Sequence, residues 1–240
     1  MIEGVTAERD GTPLWWFIRY RSRSESDHIR LRIRTSDATE YGRCVGALGL
    51  MAAWLRSTGV LRHLELDTYY PEAGRYGTGT VLAAAEKVFA VDSRAAILQL
   101  QVPKTAARPT ALVAASFVDI VRGFAGTDGM RWLLDRAHTD EPAPVSREDR
   151  HQVLALTAPD AIRALPDGGN LAAAWAERRE ALGAYHAALT VDQDSDAVLA
   201  SLLHMHHIRV VGLDHESERR CRRLARAVAL AARHREGGCL

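Results

Sequence analysis

His28-Ile29-Arg30-Leu31-Arg32-Ile33-Arg34 alternates strictly between polar and apolar residues. In an extended chain successive side chains point to opposite faces. Ile29, Leu31 and Ile33 are therefore expected on one face, and His28, Arg30, Arg32 and Arg34 on the other. The stretch predicts a β-strand with an apolar side and a row of cations. Before it, Leu14-Trp15-Trp16-Phe17-Ile18-Arg19-Tyr20 is aromatic and β-branched and predicts another strand. Polar residues 21–27 read as the loop between them, so the two strands are expected to pair antiparallel. Residues 61–70 alternate again through Leu64, Leu66 and Thr68 and predict a third strand, ended by Pro71.

Elsewhere the period is helical. Residues 40–57 carry Val45, Leu48, Met51, Ala52 and Leu55 at helical spacing, with a stop at Gly59. Residues 80–89 predict a helix, and Asp92-Ser93 is the expected N-cap of a further one ending before Pro103. Residues 111–124, 129–137, 147–155, 171–189, 197–206 and 217–235 all fit helices, with loops at 142–144 and 166–169. Strands in the first third and helices thereafter predict an α+β fold. In it, a small antiparallel sheet from the N-terminal third is packed by a helical C-terminal part, within a single domain over residues 1–240.

Composition removes several function classes. Of 31 basic residues only Lys87 and Lys104 are lysines, leaving 29 arginines against 30 acids and a net charge of +1. A bulk electrostatic partner such as nucleic acid is not expected. No run approaches the roughly 18 apolar residues of a membrane span. Residues 1–10 lack the apolar stretch of a secretory signal, so a cytoplasmic location is expected. Cys44, Cys221 and Cys239 are odd in number and irregularly spaced, which suits neither a disulfide framework nor a C-x-x-C metal motif. Cys44 reads as a small buried apolar residue.

Three constellations could carry chemistry. Arg30, Arg32 and Arg34 recur about every 6.5–7 Å along a strand. They could grip a carboxylate or an extended peptide, or simply face solvent on an edge strand. Tyr69-Tyr70-Pro71-Glu72-Ala73-Gly74-Arg75-Tyr76-Gly77 sets a carboxylate and a guanidinium three apart among phenols. Proton transfer beside a developing anion uses such groups, although a surface Glu–Arg pair in a turn has the same sequence. Leu202-Leu203-His204-Met205-His206-His207-Ile208-Arg209 holds three histidines whose helical positions do not converge as an i, i+4 metal pair does. With no acid or cysteine beside them, a histidine acting as general acid or base is preferred to a metal ligand. Gly77-Thr78-Gly79 lacks the full dinucleotide fingerprint and a P-loop lysine. No cofactor and no metal are expected.

Together and in order, these pieces resemble the thiopeptide-type bacteriocin biosynthesis proteins. The stretches are Trp15-Trp16-Phe17-Ile18-Arg19-Tyr20, His28-Ile29-Arg30-Leu31-Arg32, Asp67-Thr68-Tyr69, Pro71-Glu72, Arg75-Tyr76-Gly77, Asp92-Ser93 and Leu203-His204-Met205. The family is similar to the C-terminal elimination domain of lantibiotic dehydratases, and the resemblance runs from about residue 14 to about residue 230. It implies an α+β fold, a ribosomal precursor peptide with its leader as partner, and other enzymes of the same pathway.

Two reactions follow from the resemblance. In the dehydratases the domain removes glutamate from glutamylated Ser and Thr, leaving dehydroalanine or dehydrobutyrine. That chemistry maps onto Arg32 (with Arg30 or Arg34 as register alternatives), Glu72, Arg75 and His204. In the thiopeptide branch a stand-alone relative joins two dehydroalanines in a formal [4+2] cycloaddition. Loss of water and of the leader peptide then gives the central pyridine. Tyr69, Tyr76 and Tyr185 would serve as proton donors there, with Arg30 and Arg34 binding substrate. The sequence departs from the elimination pattern in residues 21–27, where an Asp-Pro turn is usual. It departs again at Ile208, where asparagine commonly precedes the arginine matched by Arg209. No counterpart of the large glutamylation domain is present in the 240 residues, and the Trp-Phe-Ile-Arg-Tyr opening is similar to that of cyclising members. The favoured expectation is therefore a pyridine-forming cyclase. Glutamate elimination is the alternative, and a catalytically silent leader-binding partner the third reading.

Overall fold

A computed structural model describes residues 14–21, 27–137 and 144–237. The N-terminal residues 1–10, the interior of the 21–27 loop, most of the 142–144 loop and Cys239 lie outside the described residues. The elements are β1 (Trp15–Tyr20), β2 (His28–Ile33), α1 (Ala38–Ser57), α2 (Ala73–Tyr76), α3 (Gly79–Gln101), α4 (Pro109–Arg136), α5 (Arg147–Leu156), α6 (Gly168–Ala188), α7 (Ser195–Val210) and α8 (His215–Gly237). The strands form the expected antiparallel pair, and helices make up most of the rest. The chain divides into two compact units, Met1–Trp15 with Leu31–Pro71 and Trp16–Arg30 with Glu72–Leu240.

In the first unit α1 begins with a reciprocal cap. The Asp37 carboxylate accepts from the Glu40 backbone N–H at 2.8 Å, and the Glu40 carboxylate accepts from the Ser36 N–H. Only Cys44 and Ala52 of this helix are buried, as the small apolar reading of Cys44 anticipates. The third strand expected over residues 61–70 is absent. That stretch is irregular, and Leu64 and Leu66 are exposed. Alternation becomes a strand only where a pairing edge exists, and among the described residues the sheet holds β1 and β2 alone.

The second unit is a helical bundle around α4, which packs on α5, α6, α7 and α8. By length and composition α4 could cross a membrane, but most of its apolar stretch is buried inside the bundle. Phe117, Ile120, Phe124 and Leu133 are the largest fully buried side chains it contributes. The sequence predicts a break between 124 and 129, and the helix kinks there, with non-helical Ala125 and Gly126. Gly129 follows because a Cβ would lie 2.0 Å from the Val121 carbonyl oxygen.

Two expectations are corrected in this unit. Residues 79–101 form one continuous helix, so Asp92 is not an N-cap but a buried mid-helix residue. Its carboxylate finds partners on other helices and is not needed by a helix end. In β2, Ile29 is 65% exposed rather than part of a buried face. A strand with one neighbour, at the hairpin end of a two-stranded ribbon, leaves even its apolar side chains open to water. In β1, by contrast, Trp16 and Phe17 are both buried, so both faces are covered. Trp16 packs 6.2 Å from the Phe89 ring, and the Phe17 N–H donates to Ser93 Oγ at 3.1 Å.

Candidate active site

The Glu72–Gly77 turn is held by its own residues and by α6. Glu72 and Arg75 pair at 3.1 Å, and both side chains stay about half exposed. Tyr76 is buried and meets Phe89 edge-on at 4.8 Å. The Tyr185 hydroxyl donates to the Tyr76 carbonyl at 3.1 Å. Gly77 closes the turn at φ +90°, a region that other residues rarely enter. A Cβ there would also lie 2.5 Å from Gln193 Nε2 and 2.6 Å from Val81 Cγ1. The expected ion pair is therefore present, on a rigid turn that packs against α7.

The phenols take different places. Burial pushes the Tyr76 and Tyr185 hydroxyls above their ordinary pKa. Tyr185 is wholly buried and engaged with the backbone of the turn. Its hydroxyl is thus committed to holding the turn. Tyr69 lies in the first unit, where the Arg32 guanidinium sits 5.2 Å from its ring centroid. Arg34 belongs to the same unit, and its backbone N–H donates to the Leu14 carbonyl at 2.8 Å. Arg30 belongs to the second unit and stacks 3.8 Å over Tyr20.

The three histidines of α7 diverge, as the spacing predicts. His204 is a third exposed and puts Nδ1 2.8 Å from Glu218 Oε2, on α8. Glu218 also pairs with Arg222 at 2.8 Å. Burial opposes its charge, but His204 and Arg222 prevail and hold its pKa down to about 2. Glu218 thus anchors one imidazole nitrogen of His204. His207 is buried against Ser217, and burial pushes its pKa down to about 4. Among the described residues no group of three or more metal-ligating side chains is gathered.

His206 points to a feature that the sequence reading missed. Its Nδ1 lies 2.8 Å from Asp92 Oδ1 in the bundle interior. Asp92 also receives Arg178 at 2.8 Å through Oδ1 and Arg209 at 2.8 Å through Oδ2. Arg178 continues to Asp119 at 2.8 Å, and Asp119 ends the chain on Arg179. Burial alone would raise the Asp92 carboxyl, but His206, Arg209 and Arg178 hold it far below the carboxylate range. Burial keeps His206 below its ordinary pKa. Arg209 Nε also donates to the Phe17 carbonyl at 2.9 Å, and Arg19 donates to the Val210 carbonyl at 3.1 Å. The network ties α3, α4, α6, α7 and β1 together. It thereby fixes the helix that carries His204.

The fold and these residues place the chain in a known class. It is similar to the tRNA-dependent lantibiotic dehydratase MibB from Microbispora sp. 107891, whose crystal structure superimposes with a TM-score of 0.78 at 25% identity, over 92% of this chain and 25% of that one. It is also 23% identical to the subtilin biosynthesis protein SpaB of Bacillus subtilis, over 92% of this chain and 22% of SpaB. The family described as lantibiotic biosynthesis dehydratase C-term matches residues 2–229, and the chain belongs to it. It spans about a quarter of the length of these relatives.

Proposed function

We propose that this protein eliminates glutamate from glutamylated Ser or Thr residues of a ribosomal precursor peptide, leaving dehydroalanine or dehydrobutyrine. The observation that carries this reading is the family match over nearly the whole chain, with a dehydratase among its relatives. The pyridine-forming cyclase favoured from sequence has no counterpart among those relatives, so elimination takes precedence over it.

Residues of the second unit supply the groups that the reaction needs. A base must take the α-proton of the modified residue, and the Cβ–O bond must break to release the glutamate carboxylate. His204 Nε2 is the proposed base. Glu218 on Nδ1 fixes the tautomer and favours the imidazolium that forms. Arg75 offers a fixed guanidinium for the enolate-like charge or the departing carboxylate. Glu72 aims Arg75, Tyr185 steadies the backbone beneath it, and Arg30 is proposed to hold the peptide.

Mass spectrometry of a leader-bearing peptide with one glutamylated Ser tests the assignment. The protein should convert it to the dehydroalanine peptide and free glutamate, and His204→Ala should not. If the glutamylated peptide is untouched while a peptide with preformed dehydroalanines loses its leader and cyclises, the cyclase reading replaces this one. Leader binding without turnover of either peptide would leave the silent partner.

A further inference from the structure

A cleft of about 330 Å³ opens between α4, the end of α5 with residues 157–163 after it, and the first half of α6. None of the candidate catalytic residues lines it. Its walls include the apolar side chains of Val118, Ile162 and Trp175, and Arg122, Arg163 and Arg179 also line it.

Its lining side chains carry more cations than anions. Trp175 is only 5% exposed, and its indole Nε1 has no hydrogen-bond partner. An indole N–H can only donate, and this one is too deeply buried to count among the open donors of the cleft. Arg122 is exposed and interacts electrostatically with the Asp119 carboxylate. Asp119 already uses one oxygen on Arg179 and the other on Arg178. Asp160 lies 3.9 Å from Arg163, and both side chains are largely exposed. Three guanidiniums thus face two carboxylates, and one of those carboxylates is shared with a buried arginine outside the cleft.

We infer that this cleft binds a small organic carboxylate. Its carboxylate faces Arg122 and Arg179, and its aliphatic stem lies on the accessible edges of Ile162 and Trp175. A cavity of this size is at the lower end of those that enclose small ligands. A guanidinium is the natural two-pronged partner of a carboxylate. The apolar walls give no contact to a bare inorganic anion, so the stem is part of the recognition.

Titration of the full chain with glutarate, followed by calorimetry and tryptophan emission, tests the site. Glutarate should bind saturably with a Kd on the order of 1 mM or tighter. Inorganic phosphate should bind about tenfold more weakly or not at all. Arg122→Gln should weaken glutarate about tenfold, and Arg179→Gln should do the same wherever its melting curve shows a folded protein. Trp175→Phe should remove the emission change. A blocked glutamate peptide that binds tighter than glutarate would identify the source as an acidic side chain, and the reverse order a free metabolite. Absence of saturable binding, equal affinity in Arg122→Gln, or phosphate as tight as glutarate would overturn the inference.

Discussion

Asp92 and Arg209 stand 117 positions apart and meet at 2.8 Å in the buried centre of the bundle. Around them, Arg178 and His206 fill the remaining approaches to the same carboxylate. Removing one member of such a group leaves uncompensated charge in a low dielectric. Asp92→Asn should therefore destabilise the protein by about 3–5 kcal/mol. Chemical denaturation of the variant checks this, and a midpoint equal to that of the native chain would show the network to be dispensable.

Arg75 sits on the turn, where it pairs with Glu72 and keeps half its side chain in water. Its removal should leave the fold intact. Arg75→Ala should lower kcat by about 10²–10³ with little change in KM, the pattern of a contact made mainly in the transition state. Arg75→Lys should restore little, because an ammonium cannot present two parallel donors. Steady-state kinetics on the glutamylated peptide separates these outcomes, and undiminished turnover in Arg75→Ala would remove the residue from the mechanism.

Acid should act on this fold in two stages. His207 has a folded pKa of about 4 against an ordinary 6.5, so the unfolded chain takes its proton first. Its contribution is intact above pH 6.5 and is lost as the pH falls towards 4, by up to about 3 kcal/mol. His206, also lowered, acts with the same sign. Glu218 has a folded pKa of about 2 against 4.5, so its stabilisation persists above pH 4.5 and is lost between 4.5 and 2. Denaturant midpoints measured from pH 8 to 4 should fall below pH 6.5, and less steeply in His207→Gln. A flat profile over that range would contradict the burial argument.

Gly77 gives the turn its shape. Gly77→Ala combines a left-handed backbone with contacts of 2.5 and 2.6 Å. It should cost about 1–3 kcal/mol and lower activity further by moving Arg75. Tyr185→Phe, which removes only the hydrogen bond to the Tyr76 carbonyl, should cost about 1 kcal/mol. Melting curves and turnover measured together distinguish a displaced turn from a merely weakened core.

Much of this architecture is readable from local pattern. The aromatic run at Trp15 and the alternation after His28 give the two strands, and the spacing after Thr110 gives the helices. The Glu72–Arg75 pair is legible because both groups lie within one turn. The third strand misled because alternation reports a face and not a partner. The buried network was illegible because its members meet only in three dimensions. One signal existed, Asp119, a lone carboxylate inside the largely apolar run of residues 111–121. A buried acid requires a cation, and a chain with 29 arginines offers too many candidates for sequence to choose Arg178 and Arg209. Most of the remaining arginines are surface, and the few that matter do so by placement.

The central claim is that a general base on α7 drives elimination. The most direct measurement follows a precursor peptide glutamylated on a Ser deuterated at Cα, and compares its rate of glutamate release with that of the protiated peptide. The account predicts release of one glutamate per dehydroalanine formed, slowed by the deuterium or accompanied by its exchange with solvent, and abolished in His204→Ala. Unchanged release in His204→Ala, or consumption of dehydroalanines with no glutamate released, would contradict it.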